Sequence, residues 1–289
     1  MSTIRVPQVV PSPDKDCEAI NNACKRLGTD EKALIRILGC RNAAQRRLIR
    51  DAYHQIYNSS LIDCLNDELS GDFRVELQVI AEIACATSPH HLVAVRQAYC
   101  SLFHTSLEED IISNVSLPLQ KILLSLVSSY RYDKEAVDSS VAKMEAAKLR
   151  EAIQAKKLDD DELWRILSTR NTFQLRKTFQ LYKDDYGTSI DKDIMACGKG
   201  IVKSVMKVVI WCLDTPEKHF SEVIRASIVG LGTDEDSLTR AIVTRAEIDM
   251  MKVQAEYFNA NKSSLDNAVI GDTAGDYKDF LMTLLGAKI

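Results

Sequence analysis

The chain has 289 residues, 46% of them apolar and 27% charged, with 37 Lys and Arg against 41 Asp and Glu for a net charge of −4. A chain of this length can bury a large core and ordinarily divides into domains or repeats. The acidic balance argues against nucleic-acid binding by phosphate neutralisation. It also argues against direct polybasic attraction to anionic lipid, so a membrane partner would require a bridging cation.

Taken from the N-terminus, Met1 to Pro13 is polar and proline-broken, and no later run approaches the roughly 20 apolar residues of a membrane-spanning helix. Eight cysteines are scattered without a CxxC pair, the pattern of reduced thiols rather than of a disulfide framework or a zinc site. Together these features predict a soluble, cytoplasmic protein. Ser12-Pro13 before Asp14 marks the start of a first helix. Thr29 followed by Asp30 and Glu31 reads as an N-cap with acids in the first turn. Beyond it, Leu34, Ile37, Leu38 and Arg41, then Leu48, Ile49, Ala52 and Tyr53, recur at three- and four-residue spacing, the mark of apolar helix faces.

That block repeats. Leu27–Phe73 set against Leu231–Tyr277 shows 14 identities in 47 ungapped positions, where about three are expected by chance. A third copy, at an offset of 129, keeps Leu163, Arg165, Ile166, Leu167, Arg170 and Tyr182. A fourth, at an offset of 46, keeps Arg96, Ala98, Tyr99, Ser106 and Leu107. The repeated tyrosines 53, 99, 182 and 257 are spaced by 46, 83 and 75 residues. A pitch of 75 leaves the first interval 29 residues short, and the register confines the shortfall to the stretch between Phe73 and Leu77. Two helices are therefore expected to be missing there, the last of copy one and the first of copy two. The shortened join then either exposes apolar surface or fuses Asp72–Ala86 into one continuous helix, since no Pro or Gly interrupts that stretch. Ser88-Pro89 ahead of His90-His91 reads as an exposed helix start. In the last copy Thr233, followed by Asp234, Glu235 and Asp236, reads as an N-cap. With β-branched alternation nearly absent, the fold is predicted to be all-α. It is an array of four helical repeats at residues 1–74, 75–132, 133–213 and 214–289, the first and second incomplete.

The strongest local signal is Gly230-Leu231-Gly232-Thr233-Asp234, with Asp272 following 40 residues after Gly232. Two glycines one residue apart let the backbone fold so that several carbonyls face one centre. A hard divalent cation accepts such oxygens, and one carboxylate supplies charge. The expected ligands are the carbonyls of Ile228, Gly230 and Gly232, with Asp272 brought in from a distant loop. So sparse a set leaves positions for water or a lipid phosphate oxygen, coupling metal to membrane. Leu-Gly-Thr-Asp-Glu recurs in copy one, again with an acid, Glu68, 40 residues after Gly28.

These repeated loops, with the paired ends Gly71-Asp72-Phe73 and Gly275-Asp276-Tyr277 and the segments Leu238-Thr239-Arg240 and Thr244-Arg245-Ala246-Glu247, resemble those of the annexin family, most closely plant annexins. The resemblance implies Ca2+ loops that meet an acidic phospholipid surface, hence a peripheral membrane protein in the presence of calcium. By that likeness copy four is intact at Gly230, Gly232 and Asp272, with Thr233 and Glu235 available for a secondary site. Copy one keeps Gly28 and Glu68 but carries Arg26 where the first glycine belongs, which impairs it. Copy three has Lys157 and Cys197 at the glycine and acid positions, and copy two has Asn114 at the acid position; neither is expected to hold calcium.

Three other readings compete. No enzyme is expected: GxxxxGK[ST] is absent, and the histidine that a peroxidase-like role would use in the first repeat of plant annexins is replaced by Cys40. Cys85 and Cys212 match two cysteines that form a sulfur cluster in plant annexins, although buried free cysteine usually serves only as a small apolar residue. A calcium-independent scaffold is the third reading, because loss of two helices would expose apolar surface and favour self-association.

Overall fold

Capping and apolar stripes define the helices one by one. The structure is a computed structural model and describes residues 7–24, 33–34, 37, 41, 43–61, 64, 72–197, 200–229 and 232–286. Among the described residues there is no β-strand. The chain divides into two compact units, Met1–Val79 and Ile80–Ile289.

In the first unit, helix α1 (Pro13–Cys24) packs on α2 (Ala43–Tyr57). Cys17, Ile20 and Cys24 of α1 join Ile49 and Tyr53 of α2 in one core. The Cys17 thiol donates to the Ile49 carbonyl at 3.2 Å. Arg41 forks onto the buried carboxylate of Asp16, with both contacts at 2.8 Å. Such a bidentate pair satisfies two charges that burial alone would penalise.

Helix α3 (Asp72–Ala86) runs without a break, so the fusion alternative describes this stretch. The boundary expected between residues 74 and 75 falls inside it. Three helices follow, α4 (Pro89–Phe103), α5 (Leu107–Asn114) and α6 (Leu119–Val127). Ser88 caps α4 by accepting from the His91 amide, with Pro89 in the first turn, and His90 stands exposed. Ser106 and Glu109 form a reciprocal capping box at the start of α5.

The third repeat contains five helices, α7 (Ser139–Gln154), α8 (Asp161–Thr169), α9 (Thr172–Tyr186), α10 (Ile190–Ala196) and α11 (Ile201–Asp214). The fourth has the same five, α12 (Pro216–Ile228), α13 (Glu235–Arg245), α14 (Met250–Asn261), α15 (Leu265–Asp272) and α16 (Gly275–Leu284). In both repeats the first helix packs on the third, α7 on α9 and α12 on α14, as α1 does on α2. Asp138 caps α7 by accepting from the amides of Ser140 and Val141. Ala142, Ala146, Leu149 and Ile153 then form its buried stripe at helical spacing. In repeat 4, Phe220, Ile224, Leu238, Ile242, Val253, Tyr257, Val269 and Leu281 make one core from all five helices. That core sets the ends of α12, α13 and α15 side by side.

Candidate functional site

The repeat-4 loop leaves α12 at Ile228 and enters α13 at Glu235. Its neck is closed by a backbone bond from the Asp234 amide to the Ser227 carbonyl at 2.8 Å. Gly232 takes φ +91, a conformation that side chains with a Cβ rarely adopt. Asp234, rather than Thr233, caps α13 and accepts from the Ser237 amide at 3.0 Å. The expected N-cap moves by one residue because the Thr233 hydroxyl is engaged elsewhere. Thr233 Oγ1 donates to Asp272 Oδ2 at 2.5 Å and lies 3.1 Å from the Asp272 backbone oxygen.

The remote aspartate therefore does reach the loop. Asp272 closes α15, whose start is capped by Ser264. Tyr277, in the first turn of α16, bonds Thr239 Oγ1 at 2.9 Å and donates to the Glu235 carbonyl at 3.1 Å. This clasp ties the α15–α16 link to the first turn of α13, beside the loop. Gly232 and the Glu235 side chain are exposed and Asp272 is half-buried. Gly230 lies outside the described residues, as do Arg26, Gly28 and Glu68 of the first repeat. Among the described residues no group of three or more His, Cys, Asp or Glu side chains is placed to hold a metal. A cation at this loop would therefore draw mainly on peptide oxygens plus Asp272, a donor set suited to a hard ion.

The corresponding loop of repeat 3 is closed on itself. Cys197 occupies the place of Asp272, and its thiol donates to the Ile153 carbonyl at 3.0 Å. The same carbonyl accepts from the Lys156 amide at 3.0 Å. Ile153 is the counterpart of Ile228, so the oxygen that repeat 4 could offer to an ion is already satisfied here. In repeat 2, Asn114 turns back to the Asp110 carbonyl at 2.9 Å.

The annexin family model matches residues 15–77, 75–126, 144–209 and 219–284. The chain belongs to the annexin family. It is 53% identical to Annexin D3 of Arabidopsis thaliana over all of both chains, and the 321 aligned positions exceed its 289 residues by 32. It is 42% identical to the annexin-like protein RJ4 of Fragaria ananassa, covering 95% of this chain and 96% of that one. Among solved structures it resembles chicken annexin V, with a TM-score of 0.66 and 28% identity over 99% of this chain and 98% of the other. It also resembles a calcium-bound annexin, annexin (Sm)1, with a TM-score of 0.66 and 25% identity over 99% and 94%. Annexins bind Ca2+ and attach peripherally to membrane phospholipid. No helix among the described residues of this annexin is long and apolar enough to cross a membrane.

One buried constellation escapes the sequence reading. Glu82 of α3 lies 2.7 Å from His219 Nε2 of α12 and also pairs with Arg240 of α13. Burial opposes ionisation of Glu82, yet His219 and Arg240 outweigh it and hold the carboxyl below its usual range. Arg245 forks onto Asp249 at 2.7 and 2.5 Å and lies over the Phe220 ring, 4.6 Å from its centroid. Residues 137 and 158 positions from Glu82 meet here, and no local pattern announces it. Cys85 and Cys212 are both buried. Burial pushes the Cys85 thiol up to about 11, and Cys212 is pushed well above its ordinary value by the same cause.

Proposed function

We propose that this annexin binds acidic phospholipid surfaces in a calcium-dependent manner, chiefly through the α12–α13 loop and Asp272 of repeat 4. The observation that carries the reading is the convergence of Asp272 on the loop across 39 residues, against a backbone pinched between Ser227 and Asp234. Ile228, Gly230 and Gly232 would offer carbonyls, Asp272 a carboxylate, and Thr233 and Glu235 a neighbouring set of oxygens. Calcium, when bound, supplies the positive charge that lets an acidic chain meet an acidic headgroup.

The residues divide the work. Gly232 provides the turn that a residue with a Cβ resists. Thr233 orients Asp272 toward the loop through its hydroxyl. The Tyr277 clasp holds α16 on α13, so that Asp272, three residues before α16 begins, stays near. Repeat 3 contributes no equivalent site on this reading, since Cys197 supplies a thiol in place of a carboxylate and occupies the Ile153 carbonyl. The depth of Cys85 and Cys212 supports a packing role for both.

Vesicle co-sedimentation across a calcium series tests the proposal. Phosphatidylserine vesicles should carry the protein down with added calcium and release it with EGTA, while phosphatidylcholine vesicles should not. Equal sedimentation with and without calcium would reject it.

A further inference from the structure

Repeats 3 and 4 each lay a first helix across their third, as repeat 1 lays α1 across α2, and repeat 2 has no such helix ahead of α4. Repeat 3 shows what the missing helix would touch. Arg150 of α7 donates to the Tyr182 hydroxyl at 3.2 Å and pairs with Asp193. Its guanidinium also lies 5.1 Å from the Tyr186 ring centroid. In repeat 1, Asn21 of α1 takes the same place, 3.4 Å from the Tyr53 hydroxyl.

Repeat 2 keeps the receiving half of this contact. Tyr99 donates to Asp110 at 2.6 Å, as Tyr182 does to Asp193 at 2.7 Å. Phe103 stands at the Tyr186 position, its ring 4.6 Å from that of Tyr99. Nothing answers them: among the described residues Asp110 has no cation partner, and Phe103 is 59% exposed. Along the same side of α4, Val95 is half-buried and Ala98 exposed, where the matching Thr178 is buried and Leu181 half-buried beneath α7. Of the other acids in the first turn of α5, Glu108 is paired with Arg96 and Glu109 is held in the capping box with Ser106, which leaves Asp110 as the acid without a cation among the described residues.

We propose that this face of α4 and α5 docks an amphipathic helix of a partner protein, one that presents an arginine to Asp110 and Phe103 over a stripe of small apolar residues. The Tyr99–Asp110 pair, whose carboxylate has no cation partner among the described residues, selects a basic residue at that point. The guanidinium fits because it can bond the carboxylate and stack on a ring together. The low bulk of Val95 and Ala98 sets close approach of the two helix axes. Docking here uses no part of the repeat-4 loop and proceeds without calcium.

The test uses the full chain with a fluorescent peptide of the Ser139–Gln154 sequence, capped at both ends, in EGTA. Anisotropy should report saturable binding. Arg150→Gln in the peptide and Asp110→Asn in the protein should each weaken it about tenfold, the scale of one charge-assisted hydrogen bond. The two changes together should weaken it no further than either alone. Ala98→Arg, on an exposed position, should abolish binding while leaving the thermal melt unchanged. No saturable binding, binding indifferent to Ala98→Arg, or full additivity of the two pairing variants would overturn the proposal. So would a concentration-dependent dimer in sedimentation velocity that Ala98→Arg dissolves, because the occupant would then be a second copy of this chain.

Discussion

Substituting Glu82 by glutamine should destabilise the larger unit measurably. The Glu82 side chain is 6% exposed and meets His219 at 7% and Arg240 at 22%. Two hydrogen bonds with a charged partner are worth about 1.5–3 kcal/mol each, of which the glutamine oxygen recovers one at neutral strength. The net loss is about 2–5 kcal/mol, overlapping the range for breaking a buried pair from one side. Urea unfolding followed by fluorescence reads it directly, since both tryptophans, Trp164 and Trp211, lie in this unit. The pH dependence has a definite sign. A carboxyl held below its usual value in the folded chain stabilises fully above about 4.5 and loses that contribution as pH falls through the lower folded value. Wild type should therefore lose stability more steeply than Glu82→Gln below about pH 4.5. A variant within about 0.5 kcal/mol of wild type at pH 7, or parallel pH profiles, would refute the reasoning.

Other outcomes follow from single contacts. Gly232→Ala, at φ +91 with open space around it, should cost about 1 kcal/mol in loop conformation and raise the calcium needed for half-maximal vesicle binding several-fold; an unchanged midpoint would show that the turn relaxes freely. Alkylation at pH 8 followed by peptide mass spectrometry should label exposed Cys100 first and spare Cys17 and Cys85 until unfolding. Both buried thiols are pushed up to about 11, which leaves about one thiolate in a thousand at that pH. Equal labelling rates would contradict their burial. Arg150→Gln in the protein should lower the denaturant midpoint only modestly, because the Asp193 pair it breaks is partly solvated; a midpoint equal to wild type would show that Tyr182 alone suffices.

The contacts that could be read in advance are those carried by repetition. The spacing of Gly232 and Asp272 recurs in copy one as Gly28 and Glu68, so the meeting of Asp272 with Thr233 of the loop was legible despite a separation of 39 positions. The continuous α3 was legible for a negative reason, the lack of Pro or Gly between Asp72 and Ala86. The N-cap of α13 was misplaced by one residue because Thr233 and Asp234 both suit that position, and only the distant carboxylate decides between them. The link from Glu82 to His219 and Arg240 was invisible, since it depends on how repeats pack and has no local period. The same is true of Cys197 and Ile153. A cysteine at an acid position shows a lost ligand, but only the folded chain shows its thiol on the carbonyl that the ion would need.

Sedimentation of an Asp272→Ala variant with phosphatidylserine vesicles across a calcium series bears most directly on the repeat-4 assignment. If the single carboxylate that reaches the loop supplies the site's charge, most calcium-dependent sedimentation should vanish while the thermal melt stays near that of wild type. A variant that sediments with the wild-type calcium midpoint would place the membrane contact elsewhere in the chain.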